Sequence, residues 1–575
     1  MQAIGLRPFS LFLTTCLILL LLAIVRADER SDSYTLFFPF VPRAPQPPPP
    51  VTAPLYGVNF ITSAEQQADA QQFQNGLATG AAWDRWPLYW FHVEMSPGVY
   101  DWSTQDTAVL DDINHGLRIN AILLGTPGFY TTRLAQANDA ARPESLRNFR
   151  ISAINSATPQ GVYAPIFTDG SDVPGPGKQI NPENKWAGFV FTAVSRYKPG
   201  GVLAQQQGWG AGVGITHWEV WNEPDLVWFW DGTLPDYARL LKVAYLSAKQ
   251  ADANAQILFA GMANNFAYLS YYADVLAIYD QDAMAAAHGY YHDIFATHSY
   301  FYAWQSWYHV WRAERTMRDH GLSKPIWLNE SGVAVWNDYP GPIWDAQSGA
   351  RATQSEQADY IIQSALYALF AGADAIFHFQ LYDGCGNQPA GTNFPPHNGE
   401  LCDENGLWNG LPCAGDANGL YRNPTDATCF AQHPQPETAR DSLAAYRVLT
   451  TYVTDVYPYW RQRPGSPKCM GPGNVATPGQ EWIAFYQPGS GRRVVGLWAL
   501  CAESETAVIP ATSPTGTALL VAPTGSAQTI TAQNGVYTIY LPGATNRNTF
   551  PDGTLTEFYP IGGRPFILVE ADPNR

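Results

Sequence analysis

The sequence predicts an α/β fold: a (β/α)8 TIM barrel followed by a C-terminal β-sandwich domain. Three observations carry this expectation. From Leu55 onward, short apolar runs alternate eight times with longer amphipathic stretches, the rhythm of strand–helix units. Beyond about residue 460 the texture changes to short alternating runs separated by Gly, Pro, Thr and Asn, as in an all-β sandwich. At 575 residues the chain is also too long for one simple core, so two or more domains are expected. A doubly wound open sheet is the competing architecture, but no Gly-rich phosphate loop follows the first strand candidate.

In chain order, residues 1–27 read as a targeting segment. Arg7 precedes the apolar run FSLFLTTCLILLLLAIV, and Val25-Arg26-Ala27 supplies a small-residue cleavage site, which is the pattern of an export signal. At about 17 residues the run also reaches the lower limit for an uncleaved membrane anchor. Cys16 lies inside the run and not behind it, which argues against a lipoprotein signal. Residues 28–53, ending in PRAPQPPPPVTAP, read as a stiff proline-rich linker.

The barrel is expected over 54–460. Its strand candidates are LYGVNF, GAAWDRW, INAILLG, HWEVWN, ILFAGM, IFATHSY, PIWLNE and AIFHFQL. Helical patterns such as SAEQQADAQQFQNGL, PDYARLLKVAYLSAKQA and SEQADYIIQSALYALFAG lie between them. An insertion at 382–435, rich in Gly, Asn, Pro and Cys, follows the eighth strand. It belongs at the C-terminal face, where barrel active sites sit, either as a cleft wall or as a stapled decoration. A helix within 436–455 closes the barrel. The runs EWIAFYQ, RRVVGLWAL, VYTIYL and RPFILVE build the sandwich over 461–575, and no fixed-period repeat is evident.

Six cysteines lie outside the signal: Cys385, Cys402, Cys413, Cys429, Cys469 and Cys501. An even number in an exported chain favours disulfides over free thiols. Proximity groups 385–429 together and leaves Cys469 with Cys501. No Cys-x-x-Cys pair supports a zinc site.

The balance of 33 basic and 50 acidic residues gives a net charge of −17. Such a chain has no basic footprint for nucleic acid or an anionic membrane. Its 20 Trp and 31 Tyr suit a neutral, apolar-faced partner, of which sugars are one class.

Two acids stand out. Glu223, in WEVWNEPDL, ends the fourth strand, and Glu330, in KPIWLNESG, ends the seventh. Singly, each reads as a loop acid or a helix cap. Together, two carboxylates at the mouth of one barrel suit glycoside hydrolysis, in which one protonates the leaving oxygen and the other supports or attacks the anomeric carbon. Their environments must then move the two pKa values apart. Asn222 is placed to bond a sugar hydroxyl, and Pro224 stiffens the turn that aims Glu223.

On these motifs the chain resembles the clan A retaining glycoside hydrolases. WNEPDLVWFWDGTLPDYARLL is similar to the fourth-strand region of family 39 and its endoglycosidase-like relatives, and WFHVEMSPGVYDWS to the clan's loop after the second strand. The β-rich tail matches the sandwich such enzymes often carry. The resemblance spans nearly the whole barrel and is specific for the clan more than for a family within it. It implies Glu223 as acid/base, Glu330 as nucleophile and Asn222 as the amide meeting the sugar 2-hydroxyl. Tyr300, in ATHSYFY, matches a tyrosine bonded to the nucleophile, and Arg85, in WDRW, an arginine that helps keep it charged. His298 lies near a frequent subsite polar residue. One departure is visible: many members end the eighth strand with Trp, whereas this chain has HFQLYDG, so the sugar platform falls to Phe379, to Tyr382 or elsewhere.

Other candidates carry less. Glu94 and Asp101 follow the second strand, Glu94 reading as structural, and Asp383 follows the eighth. His288, His292 and His298 lack the His-Glu-x-x-His pattern of a zinc site. Trp228, Trp230, Trp304, Trp307 and Trp336 lie in or near the mouth loops, with Trp230 chosen as a sugar-stacking residue. No Gly-x-Ser-x-Gly elbow supports an esterase. The expectation is therefore an exported retaining hydrolase acting on a poly- or oligosaccharide with its carboxyl groups about 5–5.5 Å apart, without metal or organic cofactor. The alternatives are a non-catalytic carbohydrate-binding or cell-surface protein on a degenerate barrel, and a transglycosylase.

Overall fold

Eight parallel strands form, each at an expected apolar run: β1 (Tyr56–Asn59), β2 (Trp83–Tyr89), β3 (Arg118–Leu124), β4 (His217–Asn222), β5 (Gln256–Gly261), β6 (Phe295–Tyr300), β7 (Ile326–Gly332) and β8 (Ala375–His378). They pair in the order β5-β4-β3-β2-β1-β8-β7-β6, and bridges Leu258–Ile294 and Met262–Thr297 join β5 to β6 and close the barrel. This computed structural model describes residues 55–131, 156–227, 229–335, 338, 351–383, 407–408, 411–412, 417–422, 435–471, 475–547 and 559–572. The targeting segment, the linker, Trp228, Trp336 and the four cysteines from 385 to 429 lie outside these residues.

A main helix follows each strand: α1 (Ala70–Ala78), α2 (Ser103–Asn114), α3 (Lys185–Tyr197), α4 (Leu234–Ala251), α5 (Tyr271–Tyr279), α6 (Gln305–Asp319), α7 (Gln354–Ala371) and α8 (Asp441–Tyr452). Local chemistry sets their ends. Thr233 and Asp236 make a capping box at the start of α4, where Pro235 occupies the first turn. Thr353 and Glu356 do the same for α7, which stops at Gly372 in the left-handed conformation.

The barrel interior is layered. At the bottom Trp83, Trp327 and Phe377 plug it, Trp83 meeting Trp327 edge-on at 5.0 Å and Trp327 stacking on Phe377 at 5.6 Å. Gly57 makes room for this plug, because a Cβ there would lie 2.4 Å from the Phe377 ring. Above it the filling turns polar, with Asn59, Arg85, Asn120, Glu219 and Asn329 all buried. Polar groups out of reach of water need partners. The amide nitrogens of Asn59, Asn120 and Asn329 find them in Asn329 O and Glu219, whereas the Oδ1 atoms of the same three residues have none among the described residues.

The C-terminal strands are β9 (Tyr457–Gln462), β10 (Pro467–Gly471), β11 (Val475–Pro478), β12 (Gln480–Gln487), β13 (Arg492–Ala499), β14 (Glu505–Pro510), β15 (Thr517–Val521), β16 (Ala527–Thr531), β17 (Val536–Leu541) and β18 (Phe566–Ala571). A six-stranded antiparallel sheet, β9-β12-β13-β18-β15-β16, faces the β14–β17 pair. Alternation divides the side chains between two cores. Trp482, Ala484, Val495 and Leu497 pack inside the sandwich, against Ile509 and Ile539. Ile483, Phe485, Val494 and Trp498 join the barrel core. Gly496 admits Leu366 of α7, whose Cδ1 would be 2.2 Å from an added Cβ. Gln363 of the same helix accepts from Gly562 N and donates to Gly563 O, each at 2.9 Å. Cys469 and Cys501 form a disulfide, the pairing expected from proximity.

Candidate active site

Glu223 and Glu330 meet at the barrel mouth because two strands break their alternation just before it. On β4, Trp221 has φ 73° and Glu223 φ 43°, a left-handed conformation that non-glycine residues adopt at a cost of about 1–3 kcal/mol. Trp221 turns outward onto Trp186 and Trp230, whereas Asn222 and Glu223 both face the cleft. On β7, residue 329 is an extra residue in the pairing, since Leu328 pairs with Thr297 and Glu330 with His298. That bulge lets Asn329 and Glu330, consecutive in sequence, both reach into the barrel.

Arg85 of β2 organises the floor of the site. Its Nε and one terminal nitrogen donate to the two oxygens of Glu219, each at 2.8 Å. The same terminal nitrogen donates to Asn222 Oδ1 at 3.0 Å, and the other to Glu330 Oε1 at 2.6 Å. Glu219 accepts further from Asn120 at 2.7 Å, Asn329 at 2.8 Å and the Gly261 amide at 2.8 Å. Burial alone would raise its pKa, but the Arg85 charge and these bonds outweigh it and hold the carboxyl below its ordinary range.

The second oxygen of Glu330 accepts from the Tyr300 hydroxyl. Burial and the adjacent carboxylates push the Tyr300 pKa far up, so the phenol stays a donor. His298, wholly buried, places Nδ1 2.7 Å from Glu223 Oε1 and 3.5 Å from Glu330 Oε2. Burial pulls its pKa down, while Glu330 and Glu223 together raise it above the usual histidine value. For Glu223 burial is the dominant influence and raises the pKa, opposed by His298 and reinforced by the charges of Glu330 and Asp225. One oxygen of Glu223, one of Glu330 and a nitrogen of His298 lie within 4.8 Å of one another.

That oxygen–nitrogen–oxygen set is the one group among the described residues able to hold a metal ion. Its donors are already engaged, however, by Arg85, Tyr300 and the His298–Glu223 bond. A guanidinium 2.6 Å from Glu330 also opposes a second cation there.

Six sequence candidates thus converge: Arg85, Asn222, Glu223, His298, Tyr300 and Glu330. His298 does so as a buried link between the two acids that also contributes to the lining of the mouth cavity. Trp230 needs correction. It is 3% exposed, donates its indole N–H to Thr233 O at 3.3 Å and lies edge-to-face on Trp221, so no ring face is open to a sugar. Tyr382 is also removed, its hydroxyl bonded to Asn75 at 2.8 Å inside the core. Phe379 is half-buried beside Tyr300, ring centroids 6.0 Å apart, and is the better placed of the two platform candidates. Glu94 accepts from Trp90, Gly98 and Tyr130, and Asp383 is clamped by Arg440. His292 is buried against Tyr272, and neither it nor His288 joins the carboxylates. Trp307 stacks on Trp311 on α6.

Glu219 was not among the candidates. The available signal was an acid in the middle of the buried run HWEVWN, which demands a buried cation, and Arg85 was already at hand.

On the Glu223 side the mouth opens into a cavity of about 410 Å³, walled by Asn264, Asn265, Phe266, Phe301, Tyr302 and Gln305 among others.

No family model matches the chain, and no curated protein does. Among solved structures it is similar to a family 39 glycoside hydrolase from the gut symbiont Bacteroides cellulosilyticus WH2, at 16% identity over 90% of this chain and 80% of that one, with a TM-score of 0.52. It is also similar to a monomeric beta-xylosidase from Caulobacter crescentus CB15, at 14% identity over 90% and 96% of the two chains, TM-score 0.48. A GH30 endoxylanase from Clostridium papyrosolvens C71 matches at 11% over 90% and 95%, TM-score 0.46. At these identities the likeness is one of fold.

Proposed function

We propose that the chain is an exported retaining glycoside hydrolase of the clan A type, acting on a poly- or oligosaccharide. The observation that carries the reading is the pairing of Glu223 and Glu330, with an oxygen of each within 4.8 Å. So close an approach of one oxygen to the other is compatible with the about 5–5.5 Å between carboxyl groups that a double displacement uses. The fold shared with a family 39 hydrolase and the disulfide, which suits an oxidising compartment, support it further.

In the first step a Glu330 oxygen bonds to the anomeric carbon. The bond from that carbon to the leaving oxygen breaks, and Glu223 gives that oxygen its proton. Glu223, now a carboxylate, takes a proton from water, whose oxygen displaces Glu330 and restores both acids. The environments divide the roles. Glu330 faces the Arg85 guanidinium and the Tyr300 hydroxyl, while burial favours the protonated form of Glu223. Asn222 binds Arg85 through its oxygen, which leaves its amide N–H groups as donors to the sugar 2-hydroxyl. No metal or organic cofactor enters these steps.

The test is release of reducing ends from a polysaccharide panel by the wild type and by Glu330→Ala. Loss of release in the variant, with the product's anomeric configuration retained in the wild type, is the expected result. Equal release by both proteins, or an inverted product, would overturn the reading.

A further inference from the structure

Taking the hydrolase reading as its basis, we infer that the cavity on the Glu223 side is the leaving-group site, that it takes an uncharged sugar ring, and that Phe266 is the platform for that ring. The proton donor must touch the oxygen that departs, so the group carrying that oxygen lies beside the acid/base and not beside the nucleophile. Of the two acids only Glu223 walls the cavity, together with His298 and Tyr300 at its inner end; Glu330 and Arg85 do not. Its volume of about 410 Å³ falls in the range of small-molecule sites, about 300–1,000 Å³.

The wall chemistry selects the ligand. Among the described residues the lining holds no Lys or Arg. Arg312 is not part of the lining and donates to Asn264 Oδ1 from behind the wall. An acidic sugar would therefore find no Lys or Arg in the lining to pair with its carboxylate, which disfavours it. What remains is a set of amide and hydroxyl groups with aromatic rings, a pattern suited to the hydroxyls and apolar faces of a neutral carbohydrate.

Phe266 is 77% exposed, the most open large apolar side chain among the described residues. A large ring left in water contributes little to folding, yet the backbone beneath it is firmly held. Asp225, two residues beyond Glu223, accepts from Ala263 N at 3.1 Å and Asn265 N at 2.9 Å. Asn265 returns a bond to Asp225 O at 3.1 Å and accepts from Ala267 N at 3.0 Å. The loop that carries the acid/base and the loop that carries Phe266 are therefore stitched together, which fixes the ring relative to the proton donor.

The test compares a neutral oligosaccharide that the wild type cleaves with the glycosyl fluoride of the same glycone, whose leaving group is too small to reach Phe266. For Phe266→Ala, the ratio of kcat/KM on the oligosaccharide to kcat/KM on the fluoride should fall about tenfold. Phe266→Tyr, which keeps the ring, should restore it. An unchanged ratio in Phe266→Ala, or no rescue by tyrosine, would overturn the platform. Equal cleavage of a matched oligosaccharide whose leaving sugar is a uronic acid would overturn the preference for an uncharged ring. A wild type inactive on every fluoride and oligosaccharide would overturn the hydrolase reading and this inference with it, whereas an active wild type with an unchanged ratio counts against this inference alone.

Discussion

A Cβ on Gly261 would lie 2.0 Å from Nε2 of His298: the glycine that ends β5 is the space that the imidazole fills. Gly261 also donates its amide to Glu219 and accepts from the Glu223 amide at 2.9 Å, so it touches three members of the site at once. Gly261→Ala should displace His298, and with it Glu223, from their observed geometry. The expected cost is about 1–3 kcal/mol of stability from overpacking and a loss of kcat/KM on the order of 10²-fold from misplacement of the acid. Thermal unfolding and steady-state kinetics check both. Unimpaired turnover in a folded variant would show that His298 does not position the acid.

His298→Phe keeps the ring volume, and so the dryness around Glu223, but removes the hydrogen bond and the charge. Both lower the Glu223 pKa in the native protein, against the burial that raises it. Their loss must therefore move that pKa higher. A general acid stays competent below its pKa, so the alkaline limb of the kcat/KM profile should shift upward, by on the order of one pH unit. A limb that stays in place or moves down contradicts the assignment of Glu223 as the proton donor.

The eight barrel strands were legible because apolar runs at barrel spacing bury on both sides and leave an unmistakable rhythm. Glu223 and Glu330 were legible because both end such runs. What single-strand alternation cannot show is a break in it. The left-handed Trp221 and the bulge at residue 329 decide which neighbours face inward, and nothing in WEVWNEP or WLNES announces either. Trp230 was misread for a related reason. An aromatic residue in a mouth loop looks free in sequence, whereas here it packs against Trp221, whose outward turn depends on that same backbone break.

Glu223→Ala should separate the two chemical steps. On unactivated oligosaccharides the loss of general acid catalysis should cost about 10²–10⁴-fold in turnover. A 2,4-dinitrophenyl glycoside leaves without protonation, so its first step should suffer far less, and a burst of phenolate should precede slow release of the sugar. Added azide, an anion that needs no general base, should then speed release and yield a glycosyl azide. Rapid-mixing absorbance and product analysis check this. Equal losses on both substrate types would place the acid elsewhere.

Glu481, at the junction of sandwich and barrel, gives a stability prediction independent of catalysis. It is fully buried on β12 and accepts from Arg461 Nε and a terminal nitrogen at 2.8 Å, from Arg463 at 2.7 Å and from the Tyr367 hydroxyl of α7 at 2.8 Å. Burial alone would raise its pKa, but the charges and bonds of Arg461 and Arg463 prevail and lower it from 4.5 to about 2. A folded pKa below the unfolded one adds stability that is complete above the unfolded value and is lost as pH falls through the folded value. The window here runs from pH 4.5 down to about 2, and the amount is about 3 kcal/mol at 1.36 kcal/mol per pH unit. Glu481→Gln should therefore unfold at a lower temperature than the wild type at pH 7, with the gap narrowing steadily below pH 4.5. A gap that is constant across that window would mean that the carboxylate's charge does not fasten the sandwich to α7.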